Sequence, residues 1–368
     1  MKAGRDMEHS VFLAGYGTVG KAFVAQFRAV APDLFRDRNL DLRLVGLTTT
    51  RACLTKASGF DAGSLEPAIL EAALAAAAAA TPCGTPALAE ALHESCGPGS
   101  VFVDCTASPE VASLYPAFLE TGVSVVAANK LANSGSYASW LALREAARNG
   151  GARFHYGANV GAGLPVISTL RDLVATGDEV LRIESVLSGT ISFIFNNLSP
   201  ARPFSSLVRE AMARGYAEPD PRVDLSALDA ARKALILARE AGLHAEPADV
   251  EIEPILPPGL PSPAVPASPA DFLSGLAAAD GPLEARRRAA EARGRVLRYV
   301  AAIEAGRASL GFREVEPGHP LAGLVGADNL VSFTTARYAE QPLVVRGPGA
   351  GAVVTAAGVL ADLIRAAD

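Results

Sequence analysis

The chain has 368 residues, half of them apolar and a fifth charged, which suits about two domains of ordinary size with substantial cores. A net charge of −6 without a dense Lys/Arg block excludes a polyanion-binding surface, so no nucleic-acid partner is expected. Met1 to Ser10 lacks a signal-peptide core, and the longest low-polarity run, Ala72 to Ala80, reads as an alanine-rich helix too short for a bilayer, so no membrane span is expected.

Ser10-Val-Phe-Leu-Ala-Gly is an apolar run ending in glycine, and Lys21 to Val30 spaces apolar residues as a helix does, giving strand, tight turn and helix. Further strands are predicted at Leu40 to Leu47, Ser100 to Cys105 and Val123 to Ala128, with helical segments between them. This alternation predicts an α/β fold with a doubly wound parallel sheet. After Gly150-Gly151 the pattern changes. Strands near Arg153 to Tyr156 and Glu179 to Leu187, and helices near Leu164 to Ala175 and Leu225 to Ala241, imply a separate α+β lobe. Pro254 to Pro269 reads as a surface loop, strand-like patterns resume at Val296 to Ile303, and Gly347-Pro-Gly-Ala-Gly feeds a last helix over Val353 to Ala367.

Cys53, Cys83, Cys96 and Cys105 form no C-x-x-C pair, and His9, His93, His155, His244 and His319 stand singly. Reduced thiols, a cytoplasmic location and no transition-metal site are therefore expected.

Gly15-Tyr16-Gly17-Thr18-Val19-Gly20 is a G-x-G-x-x-G between an apolar strand and a helix, the context that a dinucleotide fingerprint requires. Its glycines permit the turn and the approach of backbone to a pyrophosphate, and the helix start offers N–H groups and a positive dipole. The second strand runs into Thr48-Thr49-Thr50-Arg51 instead of the acid that binds an NAD ribose. With no carboxylate to repel a 2′-phosphate and Arg51 able to pair with it, NADP is expected over NAD; the plainer alternative is that Arg51 is a solvated loop residue. Asp104-Cys105-Thr106-Ala107-Ser108 ends the third strand at the ligand edge, with Thr106 as the cofactor contact. Cys105 could instead be the nucleophile of an acylating dehydrogenase. Val125 to Lys130 ends the fourth strand in an amide and a cation, Lys130 being either a solvated end or a charge beside the ligand.

The segment Gly215 to Lys233 is the richest in candidate groups. Asp224 begins a helix on which residues 226, 229, 233, 236 and 240 share a face, so Asp229 stands one turn before Lys233. From spacing alone Asp224 is an N-cap and Asp229 with Lys233 an ordinary i,i+4 pair.

Taken together, these segments resemble the homoserine dehydrogenases, especially the dehydrogenase half of fused aspartokinase–homoserine dehydrogenases, from Val11 to Ile364. The specific signatures are Ala128-Asn129-Lys130, Asn159-Val-Gly-Ala-Gly-Leu-Pro165, Ser188-Gly-Thr190, Gly215 to Lys233, and Gly349-Ala-Gly351 before Val354-Thr-Ala-Ala-Gly358. The resemblance implies interconversion of L-homoserine and L-aspartate 4-semialdehyde with NADP, NAD being possible, by a cytoplasmic homodimer serving threonine, methionine and isoleucine biosynthesis. It implies a Rossmann-type nucleotide domain over residues 1–150, an α+β catalytic and dimerisation domain over 151–345, and a turn and helix over 346–368 that return to the first. Lys233 then matches the proton donor and Lys130 the lysine between cofactor and substrate. Asp229, Glu218 and Asp224 match acids of the substrate site. Gly215 and Gly351 join Gly15 to Gly20, Arg51, Thr106 and Lys130 at the cofactor.

The family's monovalent cation, such as sodium or potassium, would correspond to the carbonyls of Gly157, Val160, Ala162 and Leu164. Gly157 departs from the acid usual there, which weakens that site. A catalytically silent NADP-binding regulatory paralogue, or a dehydrogenase of another small amino alcohol, are the alternatives. With one helix after Gly351, no regulatory lobe and little effect of threonine are expected.

Overall fold

The computed structural model describes residues 7–80, 85–260 and 268–368. Cys83 and the middle of the proline-rich stretch lie outside them. The chain divides into two compact units, Met1–Gly163 with Gly351–Asp368, and Leu164–Ala350. Among the described residues no helix is long and apolar enough to cross a membrane.

The first unit holds β1 (Met7–Ala14), β2 (Leu40–Thr48), β3 (Cys53–Thr55), β4 (Val101–Asp104), β5 (Ser124–Ala127) and β6 (Phe154–His155). Their order is β3-β2-β1-β4-β5-β6, parallel except where β3 turns back on β2. The order reverses between β1 and β4, so the loops after these two strands diverge and leave a crevice at their carboxyl ends. Alternation along the strands feeds two cores. Val11 and Leu13 pack with Phe23, Phe27, Val359 and Leu363 on one face, whereas Phe12 and Ala14 pack with Leu88, Tyr115, Phe118 and Leu143 on the other. The last helix, Ala352–Ala367, thus shares a core with the Thr18–Arg38 helix that follows the glycine turn.

The strand expected near Arg153 to Tyr156 belongs to this sheet and not to the second lobe, because β6 pairs parallel with β5 through Val125 and Val126. Two residues carry no periodicity that names their partner.

The second unit holds β7 (Val180–Val186), β8 (Val250–Ile252), β9 (Val296–Glu304), β10 (Arg307–Val315), β11 (Asp328–Thr335) and β12 (Leu343–Pro348). Its order is β12-β11-β7-β9-β10-β8, antiparallel apart from β8 against β10. The helix expected from Asp224 is broken into Pro221–Leu225 and Leu228–Glu240. Ala227 between them takes a left-handed φ of 58°, a costly conformation for alanine. Asp220, not Asp224, caps the short helix, accepting from the Arg222 N–H.

In the first sheet Gly46 faces Phe12, and a Cβ there would sit 2.1 Å from the buried Phe12 ring. Gly46→Ala is expected to cost about 1–3 kcal/mol in denaturant unfolding, as overpacked cores do. Combined with Phe12→Leu, the loss should be smaller than the sum of the single losses, because the two sites share one space.

Candidate functional site

In the first unit a cleft of about 820 Å³ opens at the carboxyl ends of β1, β2 and β4, lined among others by Gly15, Tyr16, Gly17, Arg51, Thr106 and Ser108. That size suits a cofactor. The three fingerprint glycines have separate reasons. Gly15 turns the chain at φ 93°, and a Cβ on Gly20 would lie 1.9 Å from the Gly15 carbonyl oxygen. Gly17 has nothing within 4 Å of a Cβ position, so its missing side chain leaves open space and not packing room. Gly17 is also the N-cap of the Thr18–Arg38 helix, with no side-chain cap and no acid in the first turn. That helix end keeps its N–H groups and dipole for an anion.

Thr49 shapes the turn after β2, its hydroxyl accepting from the N–H groups of Arg51 and Ala52 at 3.2 and 3.0 Å. Arg51 is exposed on the cleft wall. Sequence reasoning missed Lys21 and Glu71, which line the same cleft and pair at 2.6 Å, so that the Glu71 charge is balanced. Thr18, Val19 and Gly20 belong to the turn without lining the cleft, and neither Lys130 nor Gly351 lines it. Lys130 follows β5 as the residue before the Leu131–Ser134 helix.

Burial, with the Asp104 carboxylate beside it, pushes the Cys105 thiol well above its ordinary pKa. A nucleophilic cysteine needs the opposite shift, which argues against the acylating reading. Cys96 and Cys105 are free thiols, and no cluster of three or more His, Cys, Asp or Glu fit for a metal occurs among the described residues.

The Gly157 N–H donates to the Asp362 carboxylate at 2.5 Å, and a Cβ on residue 157 would meet that carboxylate at 2.9 Å. A negative side chain is therefore present beside Gly157, supplied by the last helix. Its second oxygen accepts from Arg365 at 2.8 Å.

In the second unit Lys233 is buried on the Leu228–Glu240 helix, 8% exposed. Its Nζ donates to the Leu187 carbonyl at 2.8 Å and pairs with Asp229 at 2.8 Å. This is not the solvated pair that spacing alone suggested, although Asp229 is half exposed. Leu187 follows β7, Ser188 caps the Gly189–Asn197 helix, and Thr190 continues it. The Thr190 hydroxyl lies 2.6 Å from the Tyr216 carbonyl and 2.8 Å from Asp224, with one proton to share between them. The second Asp224 oxygen accepts from the Glu218 N–H at 2.9 Å. Gly215, at φ 71°, starts the turn that carries Tyr216 and exposed Glu218.

One four-residue corner, Leu187 to Thr190, thus touches both Lys233 and Asp224. The signature Ser188-Gly-Thr190 pointed to it without assigning Thr190 or the Leu187 carbonyl a role.

Family models described as homoserine dehydrogenase, NAD binding domain, and as homoserine dehydrogenase match residues 15–157 and 165–364. The chain is 42% identical over 365 residues to a chloroplastic bifunctional aspartokinase/homoserine dehydrogenase of Zea mays, covering 97% of this chain but only 38% of the maize protein. It is 45% identical over 287 residues to a homoserine dehydrogenase of Emericella nidulans, covering 75% of this chain and 77% of that one. A solved Candida auris protein, described as of unknown function, shares the fold with a TM-score of 0.81 at 34% identity, over 98% of both chains. With both of its units matched in order, the chain belongs to the homoserine dehydrogenase family.

Proposed function

We propose that this chain interconverts L-homoserine and L-aspartate 4-semialdehyde, with NADP preferred over NAD. The observation that carries the reading is the buried Lys233 ammonium, fixed by the Leu187 carbonyl and Asp229. The bound dinucleotide supplies or takes up the hydride at C4 of the substrate. In the reducing direction Lys233 donates a proton to the aldehyde oxygen as charge builds on it, and as a neutral amine it takes that proton back in the reverse direction.

Glu218 and Asp229 hold the substrate ammonium by charge-assisted hydrogen bonds. Asp224 serves at one remove, since its oxygens are engaged by Thr190 and the Glu218 N–H and set the Gly215 to Glu218 turn. Lys130 takes the part of the second lysine that the family resemblance implies. Gly15, Gly17, the N-terminus of the Thr18–Arg38 helix and Thr106 fit a pyrophosphate and its ribose. Arg51 meets the 2′-phosphate. The reading carries a cytoplasmic homodimer with it, and the Asp362 carboxylate beside Gly157 keeps a monovalent cation within the proposal.

Reduction of the nicotinamide, followed at 340 nm with homoserine and either dinucleotide, tests the reaction and the cofactor. NADP should give the higher kcat/KM, and Arg51→Ala should narrow that preference by about tenfold or more, the worth of a lost charged hydrogen bond. Equal or better use of NAD by the native chain overturns this part.

Lys233→Met keeps an unbranched, helix-compatible side chain and removes the charge. Its kcat should fall on the order of 10²–10⁴-fold while NADPH binding persists. Asp229→Asn should raise KM as well as lower kcat, since it loses a substrate contact and a lysine partner together. A folded Lys233→Met protein keeping more than about a tenth of native kcat removes Lys233 as the proton carrier.

A further inference from the structure

Asp104, the last residue of β4, is fully buried in the first unit. One carboxylate oxygen accepts from the Thr106 N–H at 2.6 Å. The other accepts from the Tyr115 hydroxyl at 2.5 Å and from the Asn129 side-chain amide at 3.1 Å. Asn129 spends the rest of its amide on the chain around it, donating to the Ser108 carbonyl at 2.9 Å and accepting from the Leu131 N–H at 3.1 Å. Asn159 donates from beneath to the Ala127 carbonyl at 2.8 Å and in turn accepts from Asn133 at 3.0 Å. Burial raises the carboxyl pKa, and the hydrogen bonds from Tyr115, Thr106 and Asn129 oppose that rise.

We propose that Asp104 is a positioning residue: its single carboxylate locks the Thr106 turn after β4 to the Asn129-Lys130 segment after β5, so that cofactor contact and lysine are held as one piece. The proposal rests on the dehydrogenase reading above and deepens it. Tyr115 supplies the contrast. Its hydroxyl reaches the same carboxylate from the core, and it holds neither ligand-facing segment. Loss of that hydroxyl takes one hydrogen bond from the buried carboxylate and leaves those to Thr106 and Asn129 in place.

Asp104→Asn keeps the shape but turns one acceptor into a donor. In one orientation that donor faces the Thr106 N–H; in the other it faces the Asn129 amide donor, and if Asn129 flips to meet it, the Leu131 N–H and the Ser108 carbonyl lose their partner. In Asp104→Asn, kcat should drop on the order of 10²-fold, the cost of a misplacement near 1 Å, and NADPH should bind more weakly in a fluorescence titration. Tyr115→Phe should lower the melting temperature yet leave kcat and NADPH affinity within about twofold. The exchange Asp104→Asn with Asn129→Asp restores donor to acceptor across the pair but sets an acceptor against the Ser108 carbonyl, so it should regain only part of the lost kcat. If Asp104→Asn and Tyr115→Phe both lower only the melting temperature, Asp104 is a core residue and the proposal falls.

If Asp104→Asn does not fold, Asn129→Ala cuts the arm to Asp104 together with the bonds to Ser108 and Leu131, and leaves the Thr106 arm in place. It should then lower kcat while NADPH affinity holds, and an unchanged kcat would overturn the proposal. Should the native chain turn over no homoserine, the reaction reading fails by itself. NADPH affinity of Asp104→Asn against Tyr115→Phe then still decides whether Asp104 holds the Thr106 turn.

Discussion

The Lys233 ammonium lies almost wholly out of water, and a charge so placed persists only where other groups replace its hydration. The Leu187 carbonyl and the Asp229 carboxylate do so. The carbonyl is available because β7 ends at Val186; one residue earlier, Val186 lies opposite Leu330 of β11 in the ladder. The chain then bends at once into the Gly189–Asn197 helix, with Ser188 accepting from the Ile191 N–H. That bend brings Thr190 to Asp224. One strand end therefore fixes both the lysine and the acid that shapes the Gly215 to Glu218 turn.

The first unit meets the same constraint with the opposite sign. Asp104 is a buried carboxylate at a strand end, and besides Tyr115 its partners come from the two loops that leave neighbouring strands. Carboxyl ends of parallel strands are where backbone groups stop pairing with one another, so polar side chains there find partners that the sheet interior cannot offer. Glycine does the complementary work. Gly20 is required by the closeness of Gly15, whereas Gly17 leaves space that no protein atom fills.

Features that are local and periodic were readable from the sequence. The strand, glycine turn and helix at Ser10 to Val30, the parallel sheet and the final helix all announce themselves within a few residues, and the structure contains each. The break at Ala227 does not. Alanine favours helix, and Asp-Leu-Ser-Ala after a proline reads as a cap followed by a continuous helix. Asp224 instead spends its oxygens on Thr190 and the Glu218 N–H, distant in sequence, while the chain turns through a left-handed alanine two residues before Asp229. The pairing of Asp229 with Lys233 was legible from spacing; the burial that separates a site from a surface ion pair was not, since it depends on which elements pack around the helix. β3 and β8 are three residues long and too short for alternation to show, and β6, two residues long, was expected as a strand but not as part of the first sheet.

The surroundings of Gly157 are set by the last helix as much as by its own loop. In the sequence the glycine reads as the loss of an acid. In the fold, the Asp362 carboxylate comes from the last helix to the Gly157 N–H and occupies the room that a side chain at 157 would need. A side chain at 157 would therefore push the Asp362 carboxylate from its place against the Gly157 N–H. The same helix makes a second demand of this loop. A Cβ on Gly163 would lie 2.5 Å from the Val354 carbonyl oxygen, and one on Gly358 would lie 2.6 Å from that of Ala162. Contact this close leaves the helix no room to approach the loop further, so the packing of glycines at 163 and 358, which carry no charge themselves, fixes where the Asp362 side chain leaves the helix.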